Sequence, residues 1–299
     1  MPECILAVDA GGTFFKYVLL DMQCRPIDGT AAGIDAHSSD DAPVIHAAYR
    51  RLCRCALDAA DALGLNIARI AVSTPGPYNY AGGFSMMPHK FKAIRGISVI
   101  PWFHEILPDC PVSFMSDANA FLLGEALDGA AREASSPLGI TLGTGFGFAS
   151  MKGRRLLVGE SLIPYGVLWN RPFRDGIVED YVSRRAIRAR YQSLKHCSDL
   201  PDVREIADRA RQGDAQALET FRQAGRFLGE ILASPVREYG ADLIVVGGQI
   251  ARSHDLFFNE ARDRLACPIV CAMHIDDAAL RGAARYSLMG TAQTMTVLR

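Results

Sequence analysis

Long apolar runs are missing from this 299-residue chain, and none reaches the roughly 18–20 residues that cross a bilayer, so no membrane span is expected. Met1-Pro2-Glu3-Cys4 has no basic region ahead of an apolar stretch, so no secretory leader is expected and a cytoplasmic setting is. There is no excess charge of either sign. With 32 Lys and Arg against 33 Asp and Glu the net charge is −1, and the basic side chains, mostly Arg, lie scattered. Neither nucleic acid nor a charged membrane surface is an expected partner. Cys and His are absent from 111 to 195, which excludes a Cys/His metal cluster there. The eight cysteines, Cys4, Cys24, Cys53, Cys55, Cys110, Cys197, Cys267 and Cys271, are spread through a chain too large to need staples, and most are expected as buried thiols. Cys53-x-Cys55 lies in a helical pattern, where neighbours two apart point away from each other. Cys267, Cys271 and His274 lie in a strand-like run, and neither group is expected to hold zinc.

What is present suits a globular protein: 49% of residues are apolar and 22% charged. The length exceeds the usual single core, which predicts two domains. The organising stretch is Ala7-Val8-Asp9-Ala10-Gly11-Gly12-Thr13, with β-type runs before and after it. Gly-Gly between two such runs reads as a hairpin, because glycine accepts the positive φ of tight turns. A turn without side chains also exposes N–H groups that can close around a phosphate. Asp9 beside it suits a hydrated Mg²⁺, Thr13 offers a hydroxyl and Lys16 a positive charge. The plainer alternative is an ordinary hairpin whose Asp satisfies turn amides.

A third strand is expected within Pro26 to Ile34, then a helix from Asp40-Asp41 to Gly64 and a buried strand over Ile67 to Ser73. Thr74-Pro75-Gly76-Pro77 closes that strand at a carboxyl edge, where open α/β folds place ligands. Asn79 to Ile97 is irregular. Val112 to Met115 is a short strand, followed by a helix over Ala118 to Ala130 with Ser116 or Asp117 at its N-cap. A second glycine hairpin follows: strand Leu138 to Leu142, turn Gly143-Thr144-Gly145-Phe146-Gly147, strand Phe148 to Met151, then Arg155 to Val158. Helices are expected over Val178 to Lys195 and Asp214 to Tyr239, with Ala224, Gly225 and Gly229 permitting close packing and Pro235 kinking the end. Ala241 to Val246 is a buried strand stopped by Gly247-Gly248, Val270 to His274 a last strand, and Gly282 to Thr296 a final helix packing back on the first domain. The order of strand, glycine turn, strand and strand occurs twice, an internal duplication of architecture.

Five motifs then occur in one order: Asp9-Ala-Gly-Gly-Thr13-x-x-Lys16, Ser73-Thr-Pro-Gly-Pro77, Ser116-Asp-Ala-Asn-Ala120, Leu142-Gly-Thr-Gly145 and Ile244-Val-Val-Gly-Gly248. In this the chain resembles the ROK family of the sugar kinase/heat-shock chaperone/actin superfamily, from about residue 5 to 290. The resemblance implies an α/β fold of two actin-like (ribonuclease H-like) domains, each with a βββαβα core, around a nucleotide and sugar cleft. The domains would be 1–117, with a C-terminal helix at about 284–299, and 118–283. It implies an ATP- and Mg²⁺-dependent sugar kinase, with a sugar as small-molecule partner and a homodimeric assembly. Asp9, Gly11, Gly12, Thr13 and Lys16 match the first phosphate motif, with Asp9 near the Mg²⁺ through water. Gly143, Thr144 and Gly145 match the second, and Gly247 and Gly248 the adenosine-side loop. Asp117 matches the general base, and Gly76, His89, Ser116, Asp117 and Glu179 fall on the acceptor side.

The departures concentrate there. The Gly-His and cysteine-rich zinc motif of fuller members has no counterpart, so no structural zinc is expected. Glu160 to Trp169 replaces the stretch that usually gives a Glu and a His to the sugar. Ser116 stands for the usual Asn before the base, His89 for the usual Asn after the Pro-Gly loop, and Gln249 for a common third Gly. Mismatched polar contacts carry large penalties, so an altered acceptor is expected. The competing reading is a non-catalytic sugar sensor. ROK repressors carry a DNA-binding module ahead of the first hairpin, and here that strand begins at Cys4, so a repressor is not expected.

Overall fold

In the computed structural model, residues 1–88, 90–195 and 200–298 are described. The first apolar run forms β1 (Glu3–Ala10), and β2 (Phe14–Leu20) returns antiparallel to it with Asp9 opposite Lys16. The expected third strand is shorter than its window: β3 covers Ala32–Asp35. Residues ahead of it form a turn instead, in which Thr30 Oγ1 donates to Ile27 O at 2.7 Å and accepts from Leu19 N–H at 3.1 Å. Helix α1 (Ala42–Ala62) has proline in its first turn, and Gly64 with φ of 65° follows its end. Strand β4 (Asn66–Thr74) pairs parallel with β1, placing Ser73 beside Asp9.

The irregular stretch holds a two-residue ladder, β5 (Tyr78–Asn79) with β6 (Phe84–Ser85), ahead of a single 3₁₀ turn, Lys92–Ile94. After α2 (Ile100–His104), β7 (Val112–Ser116) pairs parallel with β4 and runs straight into α3 (Asp117–Asp128). Ser116 is the cap: its Oγ accepts the Asn119 N–H at 3.2 Å.

The second hairpin is β8 (Pro137–Leu142) and β9 (Phe146–Lys152), its turn two residues shorter at the far end than expected because Phe146 pairs with Leu142. Strand β10 (Arg155–Val158) and a small ladder of β11 (Pro172–Phe173) with β12 (Gly176–Ile177) follow. The helix expected from Val178 is two helices, α4 (Glu179–Val182) and α5 (Arg184–Lys195). Ser183 parts them, with an extended backbone and an Oγ that accepts the Ala186 N–H at 3.4 Å. Helix α6 (Val203–Arg211) was not expected, although Asp202 caps it and Val203, Ile206, Ala207 and Ala210 form a buried stripe at helical spacing. Helix α7 (Ala215–Tyr239) contains Pro235. Its small residues act as expected: a Cβ on Gly225 would stand 2.2 Å from Phe257 O, just ahead of α8 (Phe258–Arg262). Strands β13 (Leu243–Gly247) and β14 (Ile269–Cys271) pair in parallel. The final helix is also divided, into α9 (Ala278–Met289) and α10 (Thr291–Thr294), by Gly290 with φ of 69°. Met295–Val297 is strand β15, parallel to β10, and not helix.

Contacts group the chain into two compact units, 1–127 with 155–165 and 277–299, and 128–154 with 166–276. The first holds a sheet in the order β3-β2-β1-β4-β7. Leu6, Val8, Ile70, Val72 and Phe114 make one core with Ile45, Tyr49 and Leu52 of α1. Each such side chain, fully buried, contributes roughly 1.5–3 kcal/mol. Ile5 and Ala7, alternate along β1, are buried too, and α9 packs on β1, β4 and β7. In the second unit four strands run in the order β14-β13-β8-β9. Of the cysteines, Cys4, Cys24, Cys53 and Cys110 are buried and Cys55, Cys267 and Cys271 half-buried; Cys197 lies outside the described residues.

Candidate active site

In the first unit the carboxyl ends of three parallel strands stop level with one another. Asp9 is the penultimate residue of β1, Ser73 and Thr74 end β4, and Ser116 leads from β7 into Asp117. Thr74 Oγ1 donates to Ala10 O at 3.3 Å, tying the first glycine turn to β4. Gly11, Gly12 and Thr13 form that turn, with Thr13 and Lys16 exposed. Asp117 Oδ1 accepts the Ala118 N–H at 2.8 Å.

The Asp117 charge weighs on the Asp9 carboxyl. Burial first, and then the charge of Asp117, push the Asp9 carboxyl up to about 6, while Lys16 opposes the shift. Burial also raises Asp117, offset by backbone N–H donation and by the ammonium of Lys90. Burial and then Asp117 hold the Tyr80 phenol well above its ordinary range. Among the described residues, Ser73 Oγ and both amide atoms of Asn119 are buried without a hydrogen-bond partner, close in register or sequence to these acids. Gly76 is exposed in the loop after β4, where a Cβ would stand 3.3 Å from the Tyr80 hydroxyl. His89 lies outside the described residues.

In the second unit the other glycine motifs converge. Gly247 sits opposite Thr141 of β8, and a Cβ on Gly248 (φ 80°) would stand 2.3 Å from Leu142 O, where no side chain fits. Gly143 O accepts the Arg184 N–H at 2.8 Å, and exposed Thr144 tops the turn. Glu179 is held against it: Oε2 accepts the Phe146 N–H at 3.0 Å, and a Cβ on Gly145 would lie 2.5 Å from that oxygen. The Glu179 N–H in turn donates to Trp169 O at 3.0 Å. The structure therefore brings Gly143, Thr144, Gly145, Gly248 and Glu179 together, and separately Asp9, Lys16, Ser116 and Asp117.

A family model described as "ROK family" matches residues 5–288. The chain belongs to the ROK family. Among its relatives is a glucokinase of Thermotoga maritima, 24% identical over 95% of this chain and 97% of that protein. Two solved structures share its fold. One is a ROK family glucokinase from Streptomyces griseus in complex with glucose and AMPPNP, with TM-score 0.80, 21% identity, and coverage of 96% of this chain and 100% of that one. The other is a ROK family transcriptional regulator, a homolog of the E. coli MLC protein, with TM-score 0.83, 20% identity, and coverage of 96% and 78%. The ROK fold with its actin-like duplication is thus the fold of this chain.

Two residues at this ROK site were not singled out from the sequence. Lys90 and Tyr80 reach Asp117 from the irregular stretch after β4. Their only sequence signal is position, in a loop that follows the carboxyl end of a buried strand.

Proposed function

We propose that this protein is an ATP-dependent sugar kinase that transfers the γ-phosphoryl group to a hydroxyl of a hexose or sugar derivative. What carries this reading is Asp117, a carboxylate between the end of a parallel strand and the head of a helix, raised by burial, with Asp9 and the Lys90 ammonium nearby. Phosphoryl transfer asks the protein for positioning, charge stabilisation and a base rather than a covalent intermediate. Asp117 takes the proton of the attacking hydroxyl as the new oxygen–phosphorus bond forms and ADP leaves. Backbone N–H groups of Gly11, Gly12 and Thr13 hold phosphate oxygens, with Lys16 adding charge. Gly143, Thr144, Gly145, Gly247 and Gly248 form the second unit's glycine motifs, to which the family resemblance gives a nucleotide role. The family resemblance gives Gly76, Ser116 and Glu179 acceptor-side roles, and gives one also to His89, which lies outside the described residues.

The donor set fits Mg²⁺. Asp9 would hold the hydrated ion through water; burial and then Asp117 disfavour its ionised form, and a hard dication there would relieve that burden. When bound, the ion neutralises polyphosphate charge.

A sugar-sensing protein without catalysis is the second reading, favoured by the departures at Ser116, His89 and 160–169 and by the regulator's shared fold. ADP release measured across hexoses, N-acetylhexosamines, pentoses and β-glucosides separates the two. The kinase reading predicts a rate that depends on one sugar class. No sugar-dependent rate with any of them, in protein that still binds ATP, favours the sensor.

A further inference from the structure

The first glycine turn lies under one side chain. A Cβ built on Gly12 would stand 2.5 Å from Lys90 Cδ, 2.8 Å from Cε and 2.9 Å from Nζ, so the lysine arm lies across the turn in space that glycine leaves open. Its charge also favours the ionised form of Asp117. Among the described residues no carboxylate is within salt-bridge distance of Lys90. The cation is set between a phosphate-type turn and the acid at the head of α3.

The backbone that carries it is fixed by its neighbours. Phe91 is 3% exposed and left-handed, with φ of 52° and ψ of 32°. Its ring stacks on Phe15 at 6.0 Å with 6° between planes, inside the first unit's core. The Phe91 N–H donates to Ser38 O at 2.7 Å, and the Ser38 hydroxyl donates to Gly12 O. One residue, Ser38, thus joins the glycine turn to the residue after Lys90. A left-handed non-glycine conformation is costly and persists where the surroundings over-determine it, commonly at ligand clamps.

We propose that Lys90 is a catalytic residue of the transfer, its ammonium contacting the phosphoryl group in passage from ATP to the sugar. This rests on the kinase reading. In the step, the bond from the γ-phosphorus to the bridging oxygen breaks and that electron pair leaves with ADP. The sugar oxygen bonds to phosphorus and its proton goes to Asp117. Negative charge spreads over the transferred oxygens, and a fixed ammonium in a partly desolvated site stabilises it more than water does. A compact ammonium suits this as a point charge, and the glycine beneath it leaves the turn's N–H groups on the same anion.

The test compares wild type with Lys90→Met and Lys90→Arg. It measures kcat and acceptor KM with the best sugar, and the dissociation constants of ATP and ADP in Mg²⁺ buffer without sugar, with unfolding melts to show that each variant is folded. Lys90→Met is expected to lower kcat by about 100-fold or more, with acceptor KM changed by less than about threefold. It should weaken ATP by about tenfold and ADP by less than about twofold, because the contact is to the terminal phosphoryl group alone. Lys90→Arg, which keeps the charge, should retain most of the preference for ATP over ADP. The proposal is overturned if folded Lys90→Met keeps kcat within about threefold, or weakens ATP and ADP equally. If Lys90→Met does not fold, Lys90→Gln is judged by the same two outcomes. Absence of sugar-dependent transfer in wild type would remove the kinase reading, while the ATP-to-ADP ratio would still decide whether Lys90 grips the terminal phosphate.

Discussion

Asp9 and Glu179 show how far a single side chain can be argued from its surroundings. Asp9 has an ordinary carboxyl value of 3.8 and is pushed up to about 6 in the fold. A raised acid contributes its full share of stability below about pH 4, and loses it as pH rises through about 6. In protein free of nucleotide and metal, Asp9→Asn should therefore raise stability by about 1–3 kcal/mol at pH 8, an advantage that fades toward pH 4. Chemical unfolding at several pH values measures this; an advantage independent of pH would contradict the cause assigned here. Glu179 was read from the sequence as a sugar contact, and in the fold its carboxylate accepts a hydrogen bond from the second glycine turn. Two variants separate these roles. Glu179→Gln keeps an acceptor for the Phe146 N–H, and Glu179→Ala does not. If the sugar role holds, both raise acceptor KM by about tenfold, whereas only Glu179→Ala raises ATP KM through a loosened turn. Equal effects of both variants on ATP would show that the turn does not depend on this bond.

At the scale of elements, the acids are positioned by how closely helices approach. A Cβ on Gly282 of α9 would stand 1.8 Å from Ala120 O, and one on Gly124 of α3 2.0 Å from Ala278 O. These helices touch backbone to backbone, and α3 begins at Asp117. Gly282→Ala must push α9 from α3 and is expected to cost about 3 kcal/mol or more, because the obstructing atoms are backbone and cannot rotate away. A fall of under about 1 kcal/mol in denaturant unfolding would show that the two helices separate freely. Elements with strong periodicity were legible: β1, β2, α1, β4 and α7 fall where the apolar spacing puts them. The breaks at Ser183 and Gly290 were not, because apolar periodicity continues through both while local capping and a positive φ end the helix. Helix α6 has only a short signal, an Asp202 cap and a four-residue apolar stripe.

Across the whole molecule, the order of glycine motifs carried the ROK assignment, and the family match over residues 5–288 bears it out. Motif order survives in a chain 24% identical to a glucokinase because turns, strand ends and close approaches constrain the backbone more than side chains are constrained. The Lys90 arm over Gly12 was not legible, since it comes from a loop with no period and a contact made only on folding. Acceptor identity is illegible for a related reason: the positions that depart from the family pattern are those that the resemblance puts on the acceptor side. The most direct test of the account is recovery of label from γ-labelled ATP on a sugar, in wild type and in Asp117→Asn, with ATP binding measured in both. The account predicts labelled sugar phosphate from wild type, about 100- to 10,000-fold less from Asp117→Asn, and similar ATP binding by the two. Undiminished labelling in the variant, or none in wild type with any sugar, would contradict it.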